Sequence, residues 1–306
     1  MRQRLYPESR TQQAQQSPCP GCCYSSGSMS AWQPTEDEER VAEFREAVLA
    51  HYWAHGRDLP WRRTDDPYAI LVSEVMLQQT QVARVVGKYE ESLRAFPTVD
   101  ALASAPLGDV LKVWSGLGYN RRAKALHEAA KAIVARHGGR VPSSYQELRA
   151  LPGVGHATAA QVLAFAFGVA VPYLETNIRA ALIHWFFPEA DSVPDSALMP
   201  LVEATLDADD PRTWYYALMD YGAALKRAVP NPSRRSAHHG RQAPFVGSAR
   251  EARGAALRVL AERDAASGAE IARASGIGVE RIREALVALE REGLVAREGT
   301  RWRLPR

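Results

Sequence analysis

Two glycines one residue apart, in Leu151-Pro152-Gly153-Val154-Gly155, constrain this chain more than any other stretch. They mark a tight turn, and the small, apolar run His156-Ala157-Thr158-Ala159-Ala160-Gln161-Val162-Leu163 behind them reads as a helix. The amphipathic segment from Tyr145 to Leu151 supplies a helix in front, so the unit predicts a helix–hairpin–helix. Backbone N–H groups in such a turn point the same way, and the second helix adds its unpaired N-terminal donors and the positive end of its dipole. That arrangement suits an anion, with a nucleic-acid phosphate the obvious candidate. An ordinary glycine turn between packed helices leaves the same short pattern, so the weight falls on what surrounds it.

Downstream stands Leu174-Glu175-Thr176-Asn177-Ile178-Arg179, an acidic residue two positions before an asparagine. Upstream come Leu59-Pro60-Trp61, Pro67-Tyr68, Ser73-Glu74-Val75-Met76-Leu77-Gln78-Gln79-Thr80-Gln81-Val82 and Trp114-Ser115-Gly116-Leu117-Gly118-Tyr119. In this order the segments resemble the MutY adenine glycosylases of the helix–hairpin–helix (HhH-GPD) superfamily, across roughly residues 40 to 225. The resemblance implies an all-α helix–hairpin–helix DNA glycosylase fold. It also implies base excision repair on double-stranded DNA that holds a mispaired or damaged base, adenine opposite 8-oxoguanine or guanine first among targets. Two rivals stand beside it: a thymine or uracil glycosylase on the same fold, and a non-catalytic DNA-binding protein. A pure binder has no need for two acids in such places, which argues against the second.

Glu74 lies in Ile70-Leu71-Val72-Ser73-Glu74-Val75-Met76-Leu77, a segment apolar almost all round and therefore expected to be buried. A lone carboxylate there is costly unless it is paired or kept protonated. It could be a structural Glu bonded to a backbone group or an arginine. By resemblance it is the acid that protonates adenine N7, a step that needs a carboxyl with a raised pKa. Glu175 falls where the family carries an Asp facing the deoxyribose, whose charge stabilises oxocarbenium character at C1′. Glu is one methylene longer, which puts the geometry in question. Asn177 matches an asparagine bonding near the same site. Ala157 falls where bifunctional relatives hold a Schiff-base lysine; an alanine cannot attack C1′, so water is the expected nucleophile.

The resemblance assigns DNA contacts as well. Gln78, Gln79 and Thr80 match the segment that contacts the base opposite the target, and Leu117 and Tyr119 match the intercalating wedge that holds the duplex open. Gly153, Gly155 and Thr158 belong to the phosphate-binding hairpin.

Chain length allows a domain of about 200 residues and a small second one. No run of about 18 apolar residues exists to cross a membrane. The net charge of +3 says little about nucleic acid, although nearly all the positive charge is Arg, the better bidentate phosphate ligand. A GC-rich genome would leave the same bias.

Residues 1–35 are rich in Gln, Ser, Pro and Gly without periodicity and are expected to be disordered, with Met29 an alternative start. The three cysteines, Cys19, Cys22 and Cys23, all fall there. One Cys-x-x-Cys is half a zinc site without its second half. No apolar core follows Arg2 and Arg4, so a signal peptide is not expected, and a cytoplasmic monomer is.

Residues 36–229 read as the helical glycosylase domain and 230–248 as a basic linker. Arg234 and Arg235 in that linker are expected to neutralise phosphates. The family usually closes its domain here with four cysteines on an iron–sulfur cluster, and no cysteine follows Cys23. The expectation is an enzyme without a cofactor or metal, its loop held by packing and ionic contacts. The family's domain for 8-oxoguanine recognition is replaced by residues 249–306. These read as three helices and a hairpin around Gly299, a winged-helix-like unit whose third helix would enter a DNA groove.

Overall fold

The computed structural model describes residues 38–240 and 244–306. The expected disordered segment, Cys19, Cys22, Cys23 and Arg241 lie outside the described residues. Helices dominate. In order they are α1 (Glu38–His55), α2 (Pro67–Leu77), α3 (Val82–Ala95), α4 (Val99–Ser104), α5 (Leu107–Val113), α6 (Arg121–His137) and α7 (Tyr145–Arg149). Next come α8 (His156–Phe167), α9 (Thr176–Phe186), α10 (Asp195–Thr205) and α11 (Pro211–Ala228). Two 3-10 turns, Pro60–Arg62 and Pro232–Arg235, precede α2 and follow α11.

The chain continues with α12 (Ala249–Glu262), β1 (Ala266–Ser267), α13 (Gly268–Ser275), α14 (Val279–Arg291), β2 (Ala296–Glu298) and β3 (Arg301–Arg303). The three strands form one antiparallel sheet in the order β1-β3-β2, with Trp302 facing Ala266 and Arg297. Three helices with this sheet make the winged-helix-like unit the sequence suggests. The two-residue β1 carries no sequence signal and becomes a strand only through pairing with β3.

Two central helices are set by simple rules. Asp66 caps α2 by accepting from the Tyr68 amide, and Pro67 occupies the first turn, where its missing N–H costs nothing. Every residue of α2 from Tyr68 to Met76 is buried. The small-residue face of α8 packs against α2, and Gly168 ends α8 in a left-handed conformation. α11 packs against both α1 and α9. No helix among the described residues is long and apolar enough to cross a membrane.

The approach of α9 to α11 depends on one residue. A Cβ on Gly222 would lie 2.1 Å from the carbonyl oxygen of Asn177, in the first turn of α9. Backbone cannot yield to that contact as a flexible side chain would. Gly222→Ala should therefore lower stability by about 1–3 kcal/mol. Thermal unfolding measures it, and a variant as stable as the parent would show that α9 can shift at no cost.

Candidate active site

Glu74 sits on the middle of α2 and is 4 % exposed. Burial pushes its carboxyl up to about 8, and the neighbouring Glu175 pushes in the same direction, while Arg62 and the Ser73 hydroxyl oppose. Arg62 does not neutralise it, because that guanidinium is engaged elsewhere. It makes a two-pronged bond to Asp220 at 2.7 and 2.8 Å and lies over the Tyr216 ring. Arg57 adds its backbone N–H and Nε to the same carboxylate. Asp220 is held below the usual carboxylate range: burial works against this, and the Arg62 and Arg57 bonds prevail. Sequence reading missed Arg62, Arg57 and Asp220. Their pairing joins residues about 160 apart in sequence and leaves no local signal.

Glu175 is the N-cap of α9. Its Oε1 accepts from the amides of Asn177 at 2.7 Å and Ile178 at 3.0 Å, and its Oε2 from Asn177 Nδ2 at 3.1 Å. The extra methylene relative to Asp is thus taken up in reaching back over the first helical turn. Burial raises its pKa, against the Ile178 amide, Lys226 and the Asn177 donors. Two electrostatically coupled carboxyls, Glu74 buried and Glu175 half-buried, therefore have unlike surroundings. Glu175 has fixed donors that favour the anion, whereas Glu74 lies on an apolar helix that favours the acid.

The hairpin lies beside them. Gly153 turns with φ +74°, and a Cβ there would fall 2.6 Å from that of Ala125 on α6. Gly155 caps α8 with its side exposed, leaving the first amides of α8 at the surface. Tyr145 and His156 bond across the turn, hydroxyl to Nδ1, at 2.7 Å.

Gln79 and Tyr119 are the two non-glycine residues with left-handed backbones among those described, at φ 56° and 47°. Such conformations are strained and cluster at functional sites. Gln79 is exposed at the end of α2, while Tyr119 follows the Gly116 and Gly118 turn. Arg122 joins the two places. Its Nη1 donates to the carbonyls of Val75, Met76 and Gln78, and its Nη2 to Thr80 Oγ1 at 2.8 Å and the Gly118 carbonyl at 3.1 Å. Arg121-Arg122 opens α6, at the end of the dipole that repels cations. That mismatch was the legible sign that Arg122 serves another purpose.

Three expectations need correction. Leu117 is buried at 3 % exposure, so its side chain anchors the turn and does not reach DNA. Thr158 is buried too, its hydroxyl accepting from Gln78 Nε2 at 3.0 Å, which ties the end of α2 to the hairpin. Arg235 faces inward: Nη1 donates to the carbonyls of Phe187, Pro188 and Ala190 at 2.6, 2.7 and 3.0 Å. Val193 exchanges bonds with the backbone at Arg235 and Ala237, completing the attachment. Arg234 alone of the pair is exposed. The outer side of α14 carries charges of both signs, Glu280, Glu284 and Glu290 beside Arg281, Arg283 and Arg291.

Residues around the 3-10 turn at Pro232–Arg235 do not fit an iron–sulfur cluster. No thiolate exists in the chain beyond Cys23, and the place is filled by the Arg235 attachment. A cavity of about 390 Å³ there, lined by His184, Pro188, Val229 and Arg235, lies at the far end of α9 from Glu175.

An all-helical domain with an anion-suited hairpin and a buried acid on the adjoining helix defines the helix–hairpin–helix glycosylase class of fold. Residues 72–201 match the family model of the HhH-GPD superfamily base excision DNA repair proteins. It is 42% identical over 188 residues to an adenine DNA glycosylase of Mycobacterium tuberculosis, covering 58% of this chain and 60% of that one. It is 44% identical over 144 residues to a thymine-DNA glycosylase of Aeropyrum pernix, covering 46% and 65%. The chain thus spans less than two thirds of either relative. Among solved structures, a thermostable thymine-DNA glycosylase aligns with a TM-score of 0.55 at 27% identity, over 62% of this chain and 88% of that one.

Two outcomes follow. Glu74 has a folded-state pKa of about 8, above its ordinary 4.5, so the folded protein holds a proton the unfolded chain releases. Its contribution to stability is full below the ordinary value and is lost as pH rises toward 8, with each tenfold in proton affinity equivalent to about 1.4 kcal/mol. Glu74→Gln, which does not ionise, should match the parent in acid and exceed it in stability in mild alkali. Parallel denaturation curves across that range would refute the buried neutral acid. Separately, Arg235→Ala should lower the melting temperature, whereas Arg234→Ala should leave it unchanged. The reverse order would return Arg235 to the surface.

Proposed function

We propose that this protein is a monofunctional DNA glycosylase of MutY type, which hydrolyses the N-glycosidic bond of adenine mispaired with 8-oxoguanine or guanine in duplex DNA. The observation that carries the reading is the neutral, buried carboxyl of Glu74 coupled to the helix-capped carboxyl of Glu175. Adenine leaves poorly as an anion. A proton delivered to N7 turns it into a neutral leaving group, and an acid with a pKa near 8 still holds that proton at neutral pH.

As the C1′–N9 bond breaks, its electron pair goes to the base and positive charge develops on the sugar. The Glu175 carboxylate, fixed by three donors, stabilises that charge without having to reorganise. Water then adds to C1′ and loses a proton, leaving an abasic site. Ala157 provides no amine, so the backbone is not cut through a Schiff base.

The similarity to adenine DNA glycosylases supports the choice of base. Acid, hairpin and wedge all come from one chain, which supports action as a monomer at the chromosome.

The test is base release from duplexes holding A opposite 8-oxoguanine, A opposite G, T opposite G and U opposite G. Adenine should be released with enzyme in excess, and release should fall as pH rises through about 8. Glu74→Gln should bind the same duplexes yet release base at least about a hundredfold more slowly, the loss expected on removing a general acid. Release of thymine or uracil in place of adenine would reassign the substrate. Normal release by the variant would remove Glu74 from the chemistry.

A further inference from the structure

The C-terminal unit reaches into the site at one point. Arg250, in the first turn of α12, donates from Nη1 to the Tyr119 hydroxyl at 3.0 Å, and its guanidinium lies 6.0 Å from the centre of the ring. From the other domain, Arg122 lies 5.6 Å from the same ring. Tyr119, left-handed in its backbone, is therefore held between two guanidiniums, one from each part of the chain.

The hold is rigid because the C-terminal unit is itself fastened. Glu292 accepts from Arg121 on α6 and from Arg253 on α12, its carboxyl held low at about 2 by these partners. Lys124 donates to the Glu292 carbonyl at 2.6 Å. The amide of Gly108 donates to the Pro305 carbonyl at 2.9 Å, where a Cβ would collide at 2.4 Å. α12 also packs on α5. These contacts use the side of the unit that faces α5 and α6.

We propose that Arg250 is a positioning residue: through it the C-terminal unit sets the Tyr119 ring for opening duplex DNA. This rests on the glycosylase reading for the role of Tyr119. The bond adds to the hold that Arg122 has on the ring, so the wedge enters the base stack with less to order on binding.

The test uses the full chain and a duplex carrying 2-aminopurine beside an A opposite 8-oxoguanine pair, so that local unstacking is read as a fluorescence rise independent of base release. Arg250→Ala and Tyr119→Phe, the latter keeping the ring and losing the hydroxyl, should each slow unstacking and single-turnover release by about five- to tenfold. The double variant should be no slower than either alone, because both remove one bond. Arg250→Lys should recover part of the loss. Arg258→Ala, an exposed arginine on the same helix, should match the parent. Melting temperatures should stay within about 2 °C throughout.

Additive losses would overturn the proposal. So would a weaker salt dependence of binding in Arg250→Ala with Tyr119→Phe unaffected, which would make Arg250 a phosphate ligand. No fluorescence rise with the parent protein overturns it as well. A normal rise without release of any base overturns the glycosylase reading and leaves the role of Arg250 supported.

Discussion

Burial of the Glu74 carboxyl without a cation of its own is the constraint around which the helical domain is organised. A paired acid would be ionised and unable to give a proton; an unpaired ion on an apolar helix would cost several kcal/mol. The fold meets both demands by turning Nη1 and Nη2 of Arg62 to Asp220. Asp220, presented by α11 and bonded by Arg57 as well, takes up the guanidinium and leaves its charge only a partial influence on Glu74. The packing of α11 against α1 and α9 thereby sets the electrostatics of α2. Gly222, two residues from Asp220 and in contact with the backbone of Asn177, ties the same helix to the second acid.

A second arrangement depends on strain. The left-handed backbones at Gln79 and Tyr119 aim side chains where regular structure would not carry them, Gln79 exposed and Tyr119 half-buried. Each costs about 1–3 kcal/mol unless the surroundings over-determine it. Arg122 supplies much of that determination, bonding the end of α2 and the turn before Tyr119 with one guanidinium. Its charge is buried enough to bring its pKa down to about 10. The end of α2 and the Tyr119 turn are therefore mechanically joined: the helix that holds Glu74 ends in carbonyls fastened by the same arginine that fixes the turn before Tyr119.

Sequence revealed the parts whose signal is local. Glycine spacing marked the hairpin, apolar residues on every face of α2 marked its burial, and the periodicity of residues 249–306 located three helices and a hairpin. Side-chain direction was not legible. Arg234 and Arg235 are indistinguishable as letters, yet the 3-10 turn sends one outward and folds the other onto three carbonyls. Leu117 and Thr158 sit within surface motifs but point to the core, because neighbouring elements close over them. Pairings over long separations, such as Arg62 with Asp220 and Arg250 with Tyr119, leave no local trace at all. The capping role of Glu175 was readable in principle, since an acid at the start of a helix is a favoured cap.

The attachment made by Arg235 has a consequence for the conditions the fold tolerates. A guanidinium bonded to backbone carbonyls has no oxidation state to change, and it remains charged across the biological pH range. The connection between α9 and α10, and with it the far end of the helix that carries Glu175 at its start, is therefore anchored by a contact indifferent to oxidants, thiols and chelators. Thiolate-bridged or metal-bridged corners fail when their chemistry is altered; this one fails only when the chain around it unfolds.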